Sequence, residues 1–179
     1  MADILLVYGT DTGNTEDVAD RLQARFAELG VVVECVNVTD VDAETLLAHQ
    51  TCIFGIPTWD FGGIQADWEG FEPVLQEIDW QHHHVALYGL GDQFGYGDYF
   101  IDAVGWLHEI LQPRGANIVG YWPTEGYEFD GSRALSADKK HFYGLAIDED
   151  QQFELTDQRL DEWVEQLKHE LPLLAAATA

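Results

Sequence analysis

Short apolar runs alternate with segments of helical periodicity along the chain, and this alternation restricts it to parallel strands joined by right-handed helical crossovers. Five strands are predicted: Ile4 to Tyr8, Val31 to Val38, Cys52 to Ile56, Val85 to Leu90, and Asn117 to Gly120. Most are almost continuously apolar, as strands covered on both faces must be. Val18, Leu22, Phe26 and Leu29 recur at helical spacing with Gly30 as the stop, and Phe100, Val104, Leu107 and Leu111 repeat the pattern ahead of Pro113 and Gly115. A last helix begins near Thr156 and presents Leu160, Trp163, Val164, Leu167 and Leu171. It is expected to end at Pro172, before a frayed alanine-rich tail. No repeat or linker interrupts the pattern, so residues 1–179 are expected to form a single domain.

The fifth strand is interrupted. After Asn117 to Gly120 the chain runs through residues 121–143, rich in Gly, Tyr, Asp and Ser, before Gly144 to Asp148 resumes a strand-like run. Tyr121, Trp122, Tyr127, Phe129, Phe142 and Tyr143 give this insertion enough apolar surface to fold back as a small lobe.

The strand Ile4 to Tyr8 empties into Thr10-Asp11-Thr12-Gly13-Asn14-Thr15, a small hydroxyl-rich turn that opens a helix. Unpaired N–H groups at a helix start, three threonine hydroxyls and a glycine that permits close approach together suit a phosphate. No Lys or Arg takes part, so an anion here meets neutral dipoles only. A capped turn with nothing bound is the alternative that the turn by itself leaves open.

Charge narrows the partners. With 33 acidic against 8 basic residues the formal charge is −25, and no basic residue lies between Arg25 and Arg114. Nucleic acid and anionic membrane surfaces are poor partners for such a chain, whereas basic protein patches suit its surface. No apolar stretch approaches the roughly 20 residues of a membrane span. There is no basic segment ahead of a hydrophobic core at the start, nor a Cys-Xaa-Xaa-Cys pair, so a cytoplasmic location is expected. Cys35 and Cys52 fall in predicted strands and are expected to be reduced, buried thiols.

In an open parallel sheet, ligands sit beyond the carboxyl ends of the strands. The loop after the third predicted strand is Pro57-Thr58-Trp59-Asp60-Phe61-Gly62-Gly63, and the loop after the fourth is Gly91-Asp92-Gln93-Phe94-Gly95-Tyr96-Gly97-Asp98-Tyr99. Each sets an aromatic among glycines at the rim of one cleft, an arrangement suited to sandwiching a flat ring.

These segments, with Asp67-Trp68-Glu69-Gly70 and Gly120-Tyr121-Trp122-Pro123-Thr124, follow the phosphate turn in an order that resembles the flavodoxins. The split fifth strand resembles their long-chain type. The resemblance runs almost end to end and implies a three-layer α/β sandwich, with a five-stranded parallel sheet of order 2-1-3-4-5 and helices on both faces. It also implies bound FMN and a one-electron carrier with no substrate of its own. By position, Thr10, Asp11, Thr12, Gly13, Asn14 and Thr15 hold the phosphate, and Trp59 and Tyr96 stack on opposite faces of the isoalloxazine. Asp92 and neighbouring backbone meet the pyrimidine edge. The implied contact set further includes Pro57, Thr58, Asp60, Phe61, Gly62, Leu90, Gly91, Gln93, Asp98 and Tyr99. Leu90 stands where some relatives have Thr, and Tyr99 where some have Asn. In the family, the peptide corresponding to Asp60-Phe61 turns over on reduction and offers its carbonyl to the flavin N5 of the semiquinone. Neither residue accommodates positive φ as Gly does, so a costlier turned-over peptide is expected here.

Electrostatics leads to the same chemistry. Each unit charge at moderate distance contributes about a few tenths to ~1 kcal/mol after screening, but many act together against an anionic hydroquinone. A low-potential shuttle between semiquinone and hydroquinone is expected, serving basic-faced partners as a monomer. The resemblance implies a ferredoxin/flavodoxin-NADP⁺ reductase on one side and an acceptor or donor such as photosystem I or nitrogenase on the other.

Rival chemistries fail on specific residues. Gly89-Leu90-Gly91-Asp92-Gln93-Phe94 imitates a dinucleotide fingerprint but has Phe94 in place of the third glycine. There is no phosphate-loop lysine, and no lysine placed for a phosphorylation receiver. His82-His83-His84 alternates its side chains on an extended segment and does not converge on one ion. No nucleophilic triad has a local signature. The remaining alternatives are an FMN-dependent NAD(P)H quinone or nitro reductase on the same scaffold, and a non-redox binding module using the acidic face.

Overall fold

The computed structural model describes residues 1–177, with side chains through residue 175. Its strands and helices alternate as β1 (Ile4–Tyr8), α1 (Asn14–Glu28), β2 (Val33–Asn37), α2 (Ala43–Leu47), β3 (Thr51–Trp59), β4 (Gly63–Ile64), α3 (Ala66–Glu77), β5 (His84–Leu90), α4 (Asp102–Leu111) and β6 (Asn117–Val119). There follow β7 (Trp122–Pro123), β8 (His141–Phe142), β9 (Leu145–Ile147), α5 (Thr156–Glu170) and α6 (Pro172–Ala177).

The main sheet runs β2-β1-β3-β5-β6, all parallel, which is the expected 2-1-3-4-5 order once β4 is counted as a side branch of β3. Helices α1 and α5 pack together over one face, and α3 and α4 over the other. The inner strand β1 is sealed from both sides: Ile4, Leu5, Leu6 and Val7 are fully buried.

The split fifth strand takes a definite form. β6 pairs with the first half of β5, from His84↔Asn117 to Ala86↔Val119, and β9 pairs with the second half, from Tyr88↔Leu145 to Leu90↔Ile147. Gly120, at φ 80°, turns the chain out of the sheet, and Gly144 brings it back so close to β5 that a Cβ there would lie 2.2 Å from the Leu87 carbonyl oxygen. The excursion folds as a β7–β8 hairpin. Phe142 is fully buried, and Phe100 stacks on Phe129 and touches Tyr127 and Phe142.

Several boundaries differ from expectation. β2 is shorter because Val38 already belongs to a tight turn capped by the Asn37 side chain, and β3 is longer, running on through Trp59. Leu29 is not part of the buried stripe. It lies past the end of α1 and is 42% exposed, while Val31 takes the inward position after Gly30 at φ 75°. Phe100 precedes its helix, since Ile101 at φ 47° breaks the backbone before α4 starts. The helix that begins at Thr156 stops at Glu170, ahead of Pro172 as expected, but Pro172 also opens a further short helix, α6, where its missing N–H costs nothing. Ala175 to Ala177 are helical, and residues 178 and 179 of the expected frayed tail lie outside the described residues.

Candidate functional site

Loops beyond β1, β3, β5 and β9 enclose a cleft of about 310 Å³. Its first wall is the turn into α1. Thr10 Oγ1 accepts the Gly13 N–H at 2.8 Å, and Gly13 at φ 92° swings the chain into the helix. No side chain caps the start of α1, although Glu16 and Asp17 lie in its first turn. The leading donors of a 15-residue helix are thus left open beside Thr10, Asp11, Thr12, Asn14 and Thr15, which line the cleft. From below, the Tyr88 hydroxyl donates to the Thr15 carbonyl at 2.9 Å. The Tyr88 ring crosses β3 over Gly55, where a Cβ would come within 2.1 Å of it.

The second wall is the end of β3. Pro57, Thr58, Trp59 and Asp60 line the cleft, and Thr58 Oγ1 accepts the Ala103 N–H at 3.0 Å, fixing the strand end to α4. Asp60, Phe61 and Gly62 form a three-residue hairpin loop into β4. Asp60 stands at φ 45° and Gly62 at φ 83°. The expectation that Asp60 resists positive φ is therefore corrected: it already occupies the left-handed region, which Asp enters more readily than most residues. Trp59 Nε1 is shielded from solvent with no hydrogen-bond partner in the protein.

The third wall is the loop after β5, with Leu90, Gly91, Asp92 and Tyr96 at the cleft. Asp92 Oδ1 accepts the N–H groups of Phe94 and Gly95 at 3.0 and 2.8 Å and the Gln151 amide at 3.0 Å. Burial raises the Asp92 carboxyl, but these donors outweigh it and hold it below the usual carboxylate range. Tyr96 is half exposed. A hydrogen bond to the Asp60 carboxylate, and then that group's charge, lift its phenol above the ordinary value. Phe61 and Tyr96 meet edge to face at 6.2 Å.

Not every residue expected at the cofactor reaches the cleft. Gly13 shapes the turn without lining the space, Phe61 is 78% exposed on the outer rim, and Tyr99 stands behind it at 5.8 Å. Gly62 packs toward Asp102, and Asp98 is exposed in a short turn. Gln93 is buried and faces the inserted lobe. Its Oε1 accepts the Glu128 N–H at 2.5 Å and its N–H donates to Asp148 at 3.0 Å. The lobe also donates from Asp130 and Gly131 to the Gly97 carbonyl at 2.8 and 2.9 Å, so it is stitched to the loop that carries Tyr96.

Glu149 and Asp150 form a fourth wall that the sequence did not reveal. The signal was the strand-like run before them: its register beside β5 places the following residues at the same rim. Burial, then Asp92 and Asp148, raise the Asp150 carboxyl. Arg21 reaches Glu149 at 3.6 Å from α1. Asp11, Asp60, Asp92, Glu149 and Asp150 thus line a cleft that no Lys or Arg lines.

Elsewhere, His83 Nδ1 bonds to the His49 carbonyl at 3.0 Å, while His84 starts β5. Among the described residues no group of three or more His, Cys, Asp or Glu is placed to hold a metal ion, and no helix is long and apolar enough to cross a membrane. Cys35 and Cys52 are free, and burial pushes both thiols up to about 12.

The family model for flavodoxin matches residues 6–163. The chain is 48% identical over 173 residues to a flavodoxin of Klebsiella pneumoniae, covering 97% of each chain. It is 47% identical over 168 residues to flavodoxin 1 of Escherichia coli K12, covering 94% of each. Among solved structures it is similar to a Fusobacterium nucleatum flavodoxin bound to flavin mononucleotide, with a TM-score of 0.87 and 29% identity over 95% of this chain and 99% of that one.

Proposed function

The chain belongs to the flavodoxin family, and from that premise we propose that it binds FMN in the four-walled cleft and carries electrons between protein partners. The observation that carries this reading is the uncapped start of α1 opening into the same cleft as Trp59 and Tyr96, with no cation at its walls. An anion site beside two aromatics fits a phosphorylated flat ring.

Bound FMN supplies the redox chemistry, taking up and releasing electrons singly. The chain does the rest. Open N–H groups at the start of α1 and the hydroxyls of Thr10, Thr12 and Thr15 would hold the phosphate, and Trp59 and Tyr96 would cover the two ring faces. Backbone groups of Leu90, Gly91 and Asp92 would meet the pyrimidine edge, and the Asp60-Phe61 peptide the N5 edge. Gln93, Asp98 and Tyr99 support the loop from behind. Five lining carboxylates and the electron-rich faces of two aromatics disfavour an added electron, so the second one-electron step lies at low potential.

The carrier reading outranks a reductase. Two aromatics covering the ring leave no shelf for a nicotinamide, and a net charge of −25 repels an anionic dinucleotide. The same charge suits basic-faced partners, namely an NADP⁺-linked ferredoxin/flavodoxin reductase and a low-potential acceptor or donor such as photosystem I or nitrogenase, met by a monomer in the cytoplasm. Adding FMN to the apoprotein is the test: one equivalent bound, yellow colour and quenched tryptophan emission are expected. Protein that stays colourless in excess FMN overturns the assignment. Reduced protein that oxidises in NADP⁺ without a reductase would restore the enzyme reading.

A further inference from the structure

Gln65, at the N-cap of α3, is 1% exposed and uses every polar atom of its side chain. Its Oε1 accepts the Trp68 N–H at 3.1 Å, while Nε2 donates to Asp11 Oδ1 at 3.2 Å and to Asp67 Oδ2 at 2.8 Å. A Cβ on Gly9 would lie 2.4 Å from that Oε1, so the strand end leaves the amide one seat. Among the carboxylates that line the cleft, Asp11 alone belongs to the anion turn itself. The backbone around Asp11 is needed by a phosphate, yet its charge repels one.

We propose that Gln65 is a positioning residue: it ties the Asp11 carboxylate to the start of α3, so that the β1–α1 turn accepts a phosphate dianion and the protein prefers FMN to unphosphorylated flavin. The proposal rests on the FMN reading above. The helix start at α3 favours a carboxylate drawn toward it. Only an amide performs this task, because it accepts one hydrogen bond and donates two. Glu in its place donates none at neutral pH and brings a third negative charge to Asp11 and Asp67. Met keeps the length and releases Asp11.

Affinities of the apoprotein for FMN and for riboflavin separate positioning from simple structural support, since riboflavin lacks the phosphate. Gln65→Met is expected to raise the FMN dissociation constant tenfold or more while changing that for riboflavin less than threefold. Asp11→Asn in the same chain is expected to recover most of the FMN loss, and Gln65→Glu to exceed Gln65→Met. Equal losses for both flavins, an unchanged FMN affinity, or no recovery with Asp11→Asn overturns the proposal. Asp11→Asn alone carries the test if the Gln65 variants do not fold: a gain in FMN preference over riboflavin of threefold or more overturns the proposal, because a charge already tied back leaves little to gain, and a smaller gain or a loss supports it. Unmutated protein that takes up riboflavin or nothing, but not FMN, defeats the cofactor assignment and this role with it. A normal FMN affinity with an immovable preference defeats the role alone.

Discussion

The Tyr88 hydroxyl reaches across β3 to the Thr15 carbonyl, 2.9 Å away, and joins the middle of the sheet to the first turn of α1. Burial lifts the Tyr88 phenol well above its ordinary value, so the group stays a donor throughout the working pH range. Tyr88→Phe leaves a buried carbonyl with one partner fewer and is expected to cost about 1–2 kcal/mol, read by urea unfolding, with weaker FMN binding as α1 loosens. Gly55→Ala drives a methyl into the Tyr88 ring and is expected to cost more than Tyr88→Phe.

Trp59→Ala removes one face of the proposed sandwich. Aromatic stacking on a heterocycle is worth about 1–3 kcal/mol, so FMN affinity is expected to fall roughly tenfold to a hundredfold. The potential of the second one-electron step is expected to rise. Unchanged affinity and potential in a spectroelectrochemical titration would remove Trp59 from the ring face.

Asp60 at φ 45° gives a backbone test. Asp60→Val places a β-branched residue in the left-handed region and is expected to destabilise the protein by about 1–2 kcal/mol. Asp60→Gly relieves the conformation at an entropic cost of similar size and is expected to change stability by less than about 1 kcal/mol. Chemical denaturation of the apoprotein distinguishes the two. Equal losses would mean that the carboxylate's bond to Tyr96, and not φ, matters there.

Two histidines set an acid limit. Burial lowers His83 and His108 below their ordinary values, and His108 lies flat on Tyr143 at 3.7 Å with Nε2 2.7 Å from the Tyr121 hydroxyl. Both are neutral in the fold and take up protons more readily once unfolded. Their contribution is therefore fully present above the unfolded value of about 6.5 and is lost as pH falls from there through the lower folded values. His108→Gln is expected to flatten the stability profile below about pH 6.5 relative to the unmutated protein. Parallel profiles would refute the assignment.

Gln93→Ala leaves the Glu128 N–H without its acceptor. A loss of about 1–3 kcal/mol is expected, and faster proteolysis within the 93–99 loop would report that the inserted lobe no longer braces it.

Strands β1 and β5 were legible because they are buried on both faces and leave an unbroken apolar run. The turn Thr10 to Thr15 was legible because its hydroxyls and glycine sit together in sequence. Helices α2 and α3 leave little periodic signal in the sequence: α2 is five residues long, and α3 carries Pro73 and five acidic or amide residues around Trp68, Phe71 and Leu75. Glu149 and Asp150 follow a strand-like run that is legible locally, but they reach the cleft only through the register of β9 on β5, a long-range fact. Gln65 likewise owes its bond to Asp11 and its closeness to Gly9 to residues more than fifty positions away. The positive φ of Asp60 is imposed by a tight hairpin whose closure depends on the pairing of β3 with β4, which no single residue announces.

β5 accepts two separate neighbours on one edge, each aligned by its own set of paired residues. Alignment of the final segment thus does not depend on continuity of the polypeptide through the hairpin between them. A molecule cleaved at the exposed Glu125 would retain two fragments, each with an independent address on the same strand, and reassembly from those halves follows naturally from such an edge.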